Sequence, residues 1–288
     1  MEEGLSMIPV VKTIDEIREF VKKARGEGKS VGFVPTMGFL HEGHKSLIVR
    51  AAAENDCVVV SDFVNPTQFA PNEDFEAYPR DIKKDAELCT EAGADIIFNP
   101  EPEEMYTAAK TTVSVSGLTS GLCGKSRPIH FDGVCTVVAK LFNIVKPDRA
   151  YFGQKDAQQL MVVKKMVKDL DFDIEIIGCP IIRESDGLAK SSRNTYLNAD
   201  ERKAALCLSR SLNLGKSLIE NGETDAKVVA GAIRAEIEKE PLAVIDYVEI
   251  VSLDTLQPVD TTDGGILTAI AVYIGKTRLI DNFIIGEA

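Results

Sequence analysis

The 288-residue chain contains no tryptophan, only three histidines and no CxxC cysteine pair. It also lacks an apolar run of about 18 residues, which excludes a membrane-spanning helix. Its N-terminus has no basic region followed by an apolar core, so we do not expect a secretory signal peptide. The six cysteines are scattered, mostly in apolar runs, and we interpret them as reduced core residues of a cytoplasmic protein.

Positive charge is also in short supply. The chain has 33 Lys and Arg against 45 Asp and Glu, a net charge of −12. Such a charge repels a polyphosphate backbone and argues against nucleic acid as a partner. A small anionic substrate would therefore need a local site of positive potential. The apolar content of 44% is that of an ordinary globular protein with one large domain or two smaller ones.

Two of the three histidines, His41 and His44, lie in the run PTMGFLHEGH. Residues 30–35 before it form a predicted buried strand, and residues 45–53 after it have apolar positions at helical spacing. His44 is thus expected at or near a helix start, where unpaired N–H groups favour anions. Two imidazoles there could hold phosphate oxygens and donate a proton to a leaving pyrophosphate. The alternative is a pair of surface or core histidines, which the combination of strand, turn and helix disfavours.

Strands and helices alternate through the first two thirds of the chain. A capping box at Thr13 predicts a helix to about residue 25, and further helices are predicted over 44–54, 80–92, 134–144 and 157–169. The predicted strands are 30–35, 57–63, 94–98, 149–152 and 173–178. This alternation predicts an α/β fold with a doubly wound parallel sheet and ligands at the carboxyl ends of its strands.

The pattern changes near residue 185. Helices over 199–220 and 225–238 are followed by β-rich runs over 244–252, 266–274 and 277–285, with a hairpin turn between the last two. We therefore expect two domains, residues 1–184 and a smaller α+β domain of residues 185–288.

Four further polar segments interrupt apolar runs. They are FVNPTQF with Gln68, GKSRPIHF with Arg127 and His130, FGQKDAQQ at 152–159 and ESDGLAKSSRN at 184–194. Each alone is typical of a solvated loop. Because all four follow strand ends, we expect them to share a pocket, with the hydroxyls and cations of the last segment suited to phosphate oxygens.

Taken in order and over essentially the whole chain, PTMGFLHEGH, FVNPTQF, RPIHFDGV, FGQKDAQQL and DGLAKSSRNTYL closely resemble the pantoate–β-alanine ligase family. This family belongs to the HxGH nucleotidyltransferases. The resemblance implies a Rossmann-type N-terminal domain, a C-terminal lid domain and a homodimer. It also implies the reaction: pantoate and ATP give pantoyl adenylate and pyrophosphate, and β-alanine then displaces AMP.

The resemblance implies three groups of site residues. Catalytic residues would be His44, His41, Lys155 and Arg193. ATP would be bound by Met37, Gly38, His41, His44, Gly153, Lys155, Asp156, Ile182, Lys190, Ser191, Ser192 and Arg193. Pantoate and β-alanine would be bound by Gln68, Gln159, Met37, Arg127 and His130.

Within these groups, His44 would be the proton donor to pyrophosphate and His41 a phosphate ligand. Mg²⁺ is implied as the partner of ATP, bound chiefly through phosphate oxygens, with Asp85 as a weak candidate ligand. One position departs from the family, because Lys190 replaces an apolar residue before the phosphate-binding serines. Its ammonium group either extends into solvent or adds a charge to the phosphate site.

Three other functions share part of this pattern. Another HxGH adenylyltransferase would not need NPTQF or KDAQQL, and an aminoacyl-tRNA synthetase fragment conflicts with the acidic charge. A regulatory nucleotide-binding module would not need the proton donor and the two glutamines. Formation of AMP and pyrophosphate that requires both pantoate and β-alanine would separate these alternatives.

Overall fold

The structure is a computed structural model that describes residues 7–71 and 73–286. Among these, the first of two compact units takes the described residues of 7–115, 129–154 and 162–180. The second takes 116–128, 155–161 and 181–286. The main division thus lies four residues before the predicted one, and two short segments join the second unit. These segments are linked to each other because the Gln158 side-chain amide donates to the carbonyls of Leu118 and Gly121, both at 2.9 Å.

A six-stranded parallel sheet forms the centre of the first unit, in the order β1-β4-β3-β2-β5-β6. Its strands are β1 (Val10–Val11), β2 (Val31–Thr36), β3 (Cys57–Asp62), β4 (Ile96–Phe98), β5 (Arg149–Gly153) and β6 (Glu175–Cys179). Every neighbouring pair is parallel, which confirms the predicted α/β class. Only β1 was not predicted, since two residues are too few to show a strand period.

Helices cover both faces of this sheet. The helices of the first unit are α1 (Ile14–Gly26), α2 (Glu42–Glu54), α3 (Ile82–Ala92), α4 (Pro102–Met105) and α6 (His130–Val145). Helix α5 (Leu122–Ser126) belongs to the second unit, and α7 (Ala157–Asp169) begins in the second unit and continues in the first from residue 162. The predicted capping box of α1 is present. Helices α2 and α3 pack together, as do α1 and α6. Successive residues of β2 point to opposite faces of the sheet. Phe33 packs against Phe142 of α6, and Val34 packs in the apolar cluster that includes α2.

The order of the strands fixes where a ligand can bind. Strand β2 lies between β3 and β5, and the chain winds outward from β2 in one direction and from β5 in the other. Doubly wound sheets bind ligands where the winding reverses, at the carboxyl ends of the strands. The residues there are Thr36 of β2, Asp62 of β3 and Gly153 of β5.

The second unit packs helices against a three-stranded antiparallel sheet. Its elements are α8 (Ala199–Ala204), α9 (Leu206–Glu220), α10 (Ala226–Ile237), β7 (Ala243–Ser252), β8 (Ile266–Ile274) and β9 (Thr277–Ile285). The predicted hairpin between β8 and β9 is present. The single helix expected over 199–220 is wrong, since a tighter turn from Leu208 N–H to the Ala205 carbonyl separates α8 from α9.

No helix among the described residues has both the length and the apolar character needed to cross a membrane.

Five of the six cysteines are buried, as expected. Burial raises the pKa of Cys57 and Cys207 to about 11 and that of Cys89 and Cys135 to about 12, and it also raises the pKa of Cys179. The expectation is wrong for the sixth, Cys123, which is half-buried at α5 with its sulfur 3.2 Å from the Tyr247 hydroxyl.

We therefore predict that the folded protein exposes one thiol to a disulfide reagent in mildly alkaline buffer, and that the other five react only after denaturation. The reason is that the thiolate is the reactive form and burial suppresses it. The measurement is a time course of reagent absorbance with and without denaturant. Cys123→Ser is the matched control and should remove the fast phase. Two or more fast thiols in the folded wild type would contradict the burial described above.

Candidate active site

The chain turns sharply between β2 and α2. The Thr36 hydroxyl donates to the Ser61 carbonyl at 2.7 Å and accepts the Gly38 N–H at 3.1 Å. Gly38 and Phe39 both have left-handed backbones, with φ of 78° and 50°. A Cβ on Gly38 would lie 2.1 Å from a carboxyl oxygen of Asp62. Only glycine fits this position, for both the dihedral angle and the close approach.

Two histidines form the start of α2. His41 is the N-cap, and its Nδ1 accepts the Gly43 N–H at 3.1 Å. His44 is the third residue of the helix, and its Nδ1 accepts the His41 N–H at 3.3 Å. Their ring centroids are 4.1 Å apart. The prediction that His44 lies near a helix start is confirmed, although the helix begins earlier, at Glu42.

These bonds decide which ring nitrogen carries the proton. Because Nδ1 of both His41 and His44 is an acceptor, the neutral rings carry their protons on Nε2. The first N–H groups of a helix and the positive end of its dipole favour anions. The turn thus combines a helix N-terminus, which favours anions, with two ring N–H donors.

A pair of buried carboxyl groups lies beneath the turn. Asp85 of α3 is 2% exposed and accepts the N–H of Phe39 at 2.7 Å and of Leu40 at 2.6 Å. Its carboxylate is also hydrogen-bonded to Asp62. Burial, followed by the charge of Asp85, raises the pKa of Asp62, and burial raises that of Asp85. Because the Asp85 carboxylate accepts two N–H groups, which stabilise its ionised form, Asp62 is the member of the pair whose neutral form is favoured.

A buried amide pocket lies after β3. Asn65 caps the short helical turn Pro66–Gln68, and its side-chain amide donates to the Gln68 side-chain oxygen at 3.0 Å. The Gln68 amide nitrogen lies 3.1 Å from the Met37 sulfur. Nδ1 of His130 lies 3.0 Å from the Gln68 carbonyl oxygen. The structure therefore brings together Met37, Gln68 and His130, three residues singled out in separate motifs.

Asn65 is a residue that the sequence reasoning missed. It is 1% exposed, accepts the Tyr106 hydroxyl at 2.7 Å and donates to the Gly133 carbonyl at 3.1 Å. The signal was available, because Asn65 stands in the quoted FVNPTQF run as an amide directly after a buried strand.

The residues of the FGQKDAQQ run lie at the start of α7. Lys155 and Asp156 belong to a single helical turn, and the Lys155 carbonyl accepts the Asn282 side-chain amide at 2.9 Å. Gln158 is buried and holds residues 118–121, whereas Gln159 is only half-buried. Gln158 therefore has a structural role, whereas Gln159, the residue predicted to bind pantoate, does not hold this segment.

The side chain of Glu184 bonds to residues on both sides of the loop before α8. Its carboxylate accepts the side chains of Asn194 at 2.9 Å and Arg202 at 3.0 Å. Lys190 lies 3.8 Å from the same carboxylate with one third of its side chain exposed. In this structure the ammonium group of Lys190 therefore faces a carboxylate.

The other candidates of this loop lie close together along the chain. The Ile182 carbonyl accepts the Lys190 N–H at 2.9 Å, and Ser191 caps the short helical turn Ser192–Tyr196, which contains Arg193. Arg127 follows α5 and donates its backbone N–H to the Cys123 carbonyl at 2.9 Å.

No group of three or more His, Cys, Asp or Glu side chains within residues 7–71 and 73–286 could hold a metal ion. Both oxygens of Asp85, the weak candidate, accept backbone N–H groups of the turn instead. A magnesium ion at Asp85 stays a prediction without geometric support.

The comparisons with known proteins agree with one another. The model of the "Pantoate-beta-alanine ligase" family matches residues 9–284. "Pantothenate synthetase" of Clostridium acetobutylicum is 62% identical over 275 residues, which cover 95% of this chain and 98% of that protein. The crystal structure of pantothenate synthetase from Thermus thermophilus has a TM-score of 0.91 and 45% identity, with 96% and 99% of the two chains covered.

A third relative was solved with ligands. It is pantoate-beta-alanine ligase from Francisella tularensis, complexed with "Beta-gamma ATP and Beta-alanine". Its TM-score is 0.78 and its identity 35%, with 96% of this chain and 97% of that chain covered.

The close approach of Gly133 to the amide pocket generates a prediction. A Cβ on Gly133 would lie 2.5 Å from the Thr67 carbonyl oxygen and 2.6 Å from the Gln68 nitrogen, both backbone atoms. We expect Gly133→Ala to lower the free energy of unfolding by about 1 to 3 kcal/mol, the cost of overpacking. Urea denaturation measures this, with Gly231→Ala as control, because a Cβ on Gly231 meets no heavy atom within 4 Å. Equal stabilities of Gly133→Ala and wild type would show that the Pro66–Gln68 turn can shift freely.

Proposed function

The chain belongs to the pantoate–β-alanine ligase family, and we propose that its reaction takes place at the turn between β2 and α2 and in the amide pocket beside it. The enzyme condenses pantoate with β-alanine at the expense of ATP. A pantoate carboxylate oxygen attacks the α-phosphorus and pyrophosphate leaves, which gives pantoyl adenylate. The β-alanine nitrogen then attacks the acyl carbon, loses a proton, and AMP departs.

The observation that carries this proposal is the pair of histidines at the N-terminus of α2. In-line attack on the α-phosphorus brings two anions together, so the site must orient both and stabilise the departing charge. His41 contacts a phosphate oxygen, and His44 gives its Nε2 proton to the leaving pyrophosphate. Support comes from the two Nδ1 acceptors, which leave Nε2 as the donor nitrogen in both rings.

The amide pocket suits pantoate. Gln68 and Gln159 bind its hydroxyls and carboxylate with neutral donors, which orient the anion without adding charge. Met37 contributes its backbone N–H, which has no hydrogen-bond partner within the described residues. His130 lies against the same turn as Gln68. Arg127 would neutralise a carboxylate of pantoate or β-alanine.

The nucleotide requires the remaining residues. Gly38 contributes its backbone at the end of β2, and Gly153, where a Cβ would meet no heavy atom within 4 Å, allows the nucleotide to approach the end of β5 closely. Asp156 contacts the ribose, Ile182 the adenine through its backbone, and Lys155 the phosphates. Further phosphate contacts come from the loop residues Lys190, Ser191, Ser192 and Arg193.

Mg²⁺ would enter with ATP. Mg²⁺ keeps several waters and binds through substrate phosphates rather than in an all-protein cage. When bound, the ion would neutralise charge on the β and γ phosphates.

We further propose that the enzyme is a homodimer, as expected from the resemblance of the five motifs, and that it is cytoplasmic, as expected from its scattered, reduced cysteines. Sedimentation of the purified chain at several concentrations measures the assembly, and a constant monomer mass would contradict it.

The function is tested with purified protein, ATP and Mg²⁺. Steady formation of AMP and pyrophosphate should require both pantoate and β-alanine. With pantoate alone, pyrophosphate should appear as a burst of no more than one equivalent of enzyme, because the adenylate stays bound. Continuous turnover without β-alanine would instead indicate a different adenylyltransferase.

We predict that His44→Ala binds ATP within about tenfold of wild type but forms the adenylate about 10² to 10⁴ times more slowly, the usual range for general acid assistance. Single-turnover release of pyrophosphate measures the rate. A thermal melt is required as a control, since the variant also removes a helix-capping bond. Unchanged turnover would rule out the proton-donor role.

A second prediction separates the two roles of Lys190. If its ammonium leaves Glu184 for the phosphates, Lys190→Met should weaken ATP binding by about 0.5 to 1.5 kcal/mol, and salt should reduce this deficit by screening the wild type. Calorimetric titration at low and high salt measures both. Lys203→Met, at an exposed lysine of α8, is the matched control. Equal affinities of Lys190→Met and wild type at both salt concentrations would show that Lys190 serves only Glu184 or solvent.

A further inference from the structure

The turn that presents the histidines is held from below by one side chain. The Asp85 carboxylate accepts two consecutive backbone N–H groups, those of Phe39 and Leu40. Hydrogen bonds from N–H groups to an ionised carboxylate are roughly twice as strong as neutral ones. They are needed here because Gly38 and Phe39 both occupy the left-handed region, which costs free energy for Phe39.

Asp62 completes this support from the neighbouring strand. It ends β3, is 7% exposed, and its carboxyl group is hydrogen-bonded to Asp85. On its other side, one of its oxygens fills the space where a Cβ of Gly38 would lie. Both acidic side chains therefore contact the turn, Asp62 at Gly38 and Asp85 at the N–H groups of Phe39 and Leu40.

Two hydrogen bonds, joined by the peptide link between Leu40 and His41, connect Asp85 to the His44 ring. Asp62 binds Asp85, and Asp85 binds Leu40 N–H. The next residue, His41, gives its N–H to Nδ1 of His44. A displacement of Leu40 would displace this N–H, and the His44 ring would lose the bond that fixes its orientation and its tautomer.

We propose that Asp85 is a positioning residue that holds residues 39–40, through the backbone N–H groups of Phe39 and Leu40, so that His41 and His44 present their Nε2 protons to the substrate phosphates. The catalytic half of this statement rests on the proposed function. The structural half, that Asp85 sets the orientation and tautomer of His44, stands without it. Asp85 acts through the turn and touches no reacting atom.

The structural half is tested by nitrogen-15 NMR of the histidine side chains, which reports the protonated ring nitrogen. Only three histidines are present, so substitution of each in turn assigns the signals. Wild type should show His44 as a single Nε2–H tautomer. Asp85→Asn, which replaces one of the two acceptor oxygens by an NH2 group facing a backbone N–H, should shift His44 toward mixed tautomers. An unchanged His44 signal in a folded Asp85→Asn variant would overturn the proposal.

Two substitutions of Asp62 form a matched pair that tests the same support while the Asp85 carboxylate stays in place. Asp62→Asn keeps a donor to Asp85 without needing a proton, and it should leave the His44 signal and the rate of adenylate formation within about twofold of wild type. Asp62→Leu removes the donor and should behave like Asp85→Asn. If Asp85→Asn does not fold, this pair decides, and equal rates and spectra for both Asp62 variants would contradict the proposal.

The catalytic half is tested by single-turnover pyrophosphate release. Asp85→Asn should slow it by about 10- to 100-fold, the effect of misplacing a catalytic group by a fraction of an ångström to one ångström. In the His44→Ala background the same substitution should cost clearly less than in wild type, because the part of its effect that acts through His44 is already lost and only the part that acts through His41 remains. If the rate loss of the double variant equalled the product of the two single losses, Asp85 would act on stability or on another residue.

Magnesium dependence distinguishes this role from metal binding. If Asp85 were a ligand, Asp85→Asn would raise the Mg²⁺ concentration needed for half-maximal rate while the His44 signal stayed unchanged, and that result would overturn the proposal. If the wild type made no adenylate at all, the proposed function would fail, and the histidine spectra would still decide the structural half.

Discussion

The backbone has five residues in which to leave β2 and enter α2, and this is possible because Gly38 carries no side chain. The space that a Cβ would fill belongs to Asp62 of the neighbouring strand. A left-handed turn of this kind places the first N–H groups of α2 above the end of the sheet. The anion site, the orientation of both histidines and the contact between Met37 and Gln68 all follow from that path of the chain.

In the proposed mechanism, this construction lets an acidic protein bind a polyanion. With a net charge of −12, long-range attraction of ATP is not available. The β2–α2 turn instead offers backbone N–H groups and ring N–H donors, which carry partial charges in fixed positions and need no compensating acid nearby. Full charges elsewhere are balanced by carboxylates, as Glu184 balances Arg202 and lies near Lys190.

The parallel sheet, the fold class and most boundaries of helices and strands could be predicted, because the spacing of apolar residues and the turn residues are visible within short stretches of sequence. The start of α2 could not, since histidine is not among the usual N-cap residues and its capping role depends on ring orientation. Nor could the support of the turn by Asp85, because residues 39 and 85 are far apart in sequence and a buried aspartate looks like any polar residue of an amphipathic helix. The same holds for Gln158 and Gln159, whose different surroundings appear only once residues 118–121 are placed.

The histidine cap of α2 also bears on how such a protein can change over time. One ring nitrogen of His44 holds the helix start, and the other is the proton donor in the proposed mechanism. A substitution that abolishes the reaction would also weaken the fold, so inactive copies would be depleted by proteolysis as well as by selection on the product. Drift of this chain toward a non-catalytic nucleotide-binding protein would have to begin with a new cap for α2.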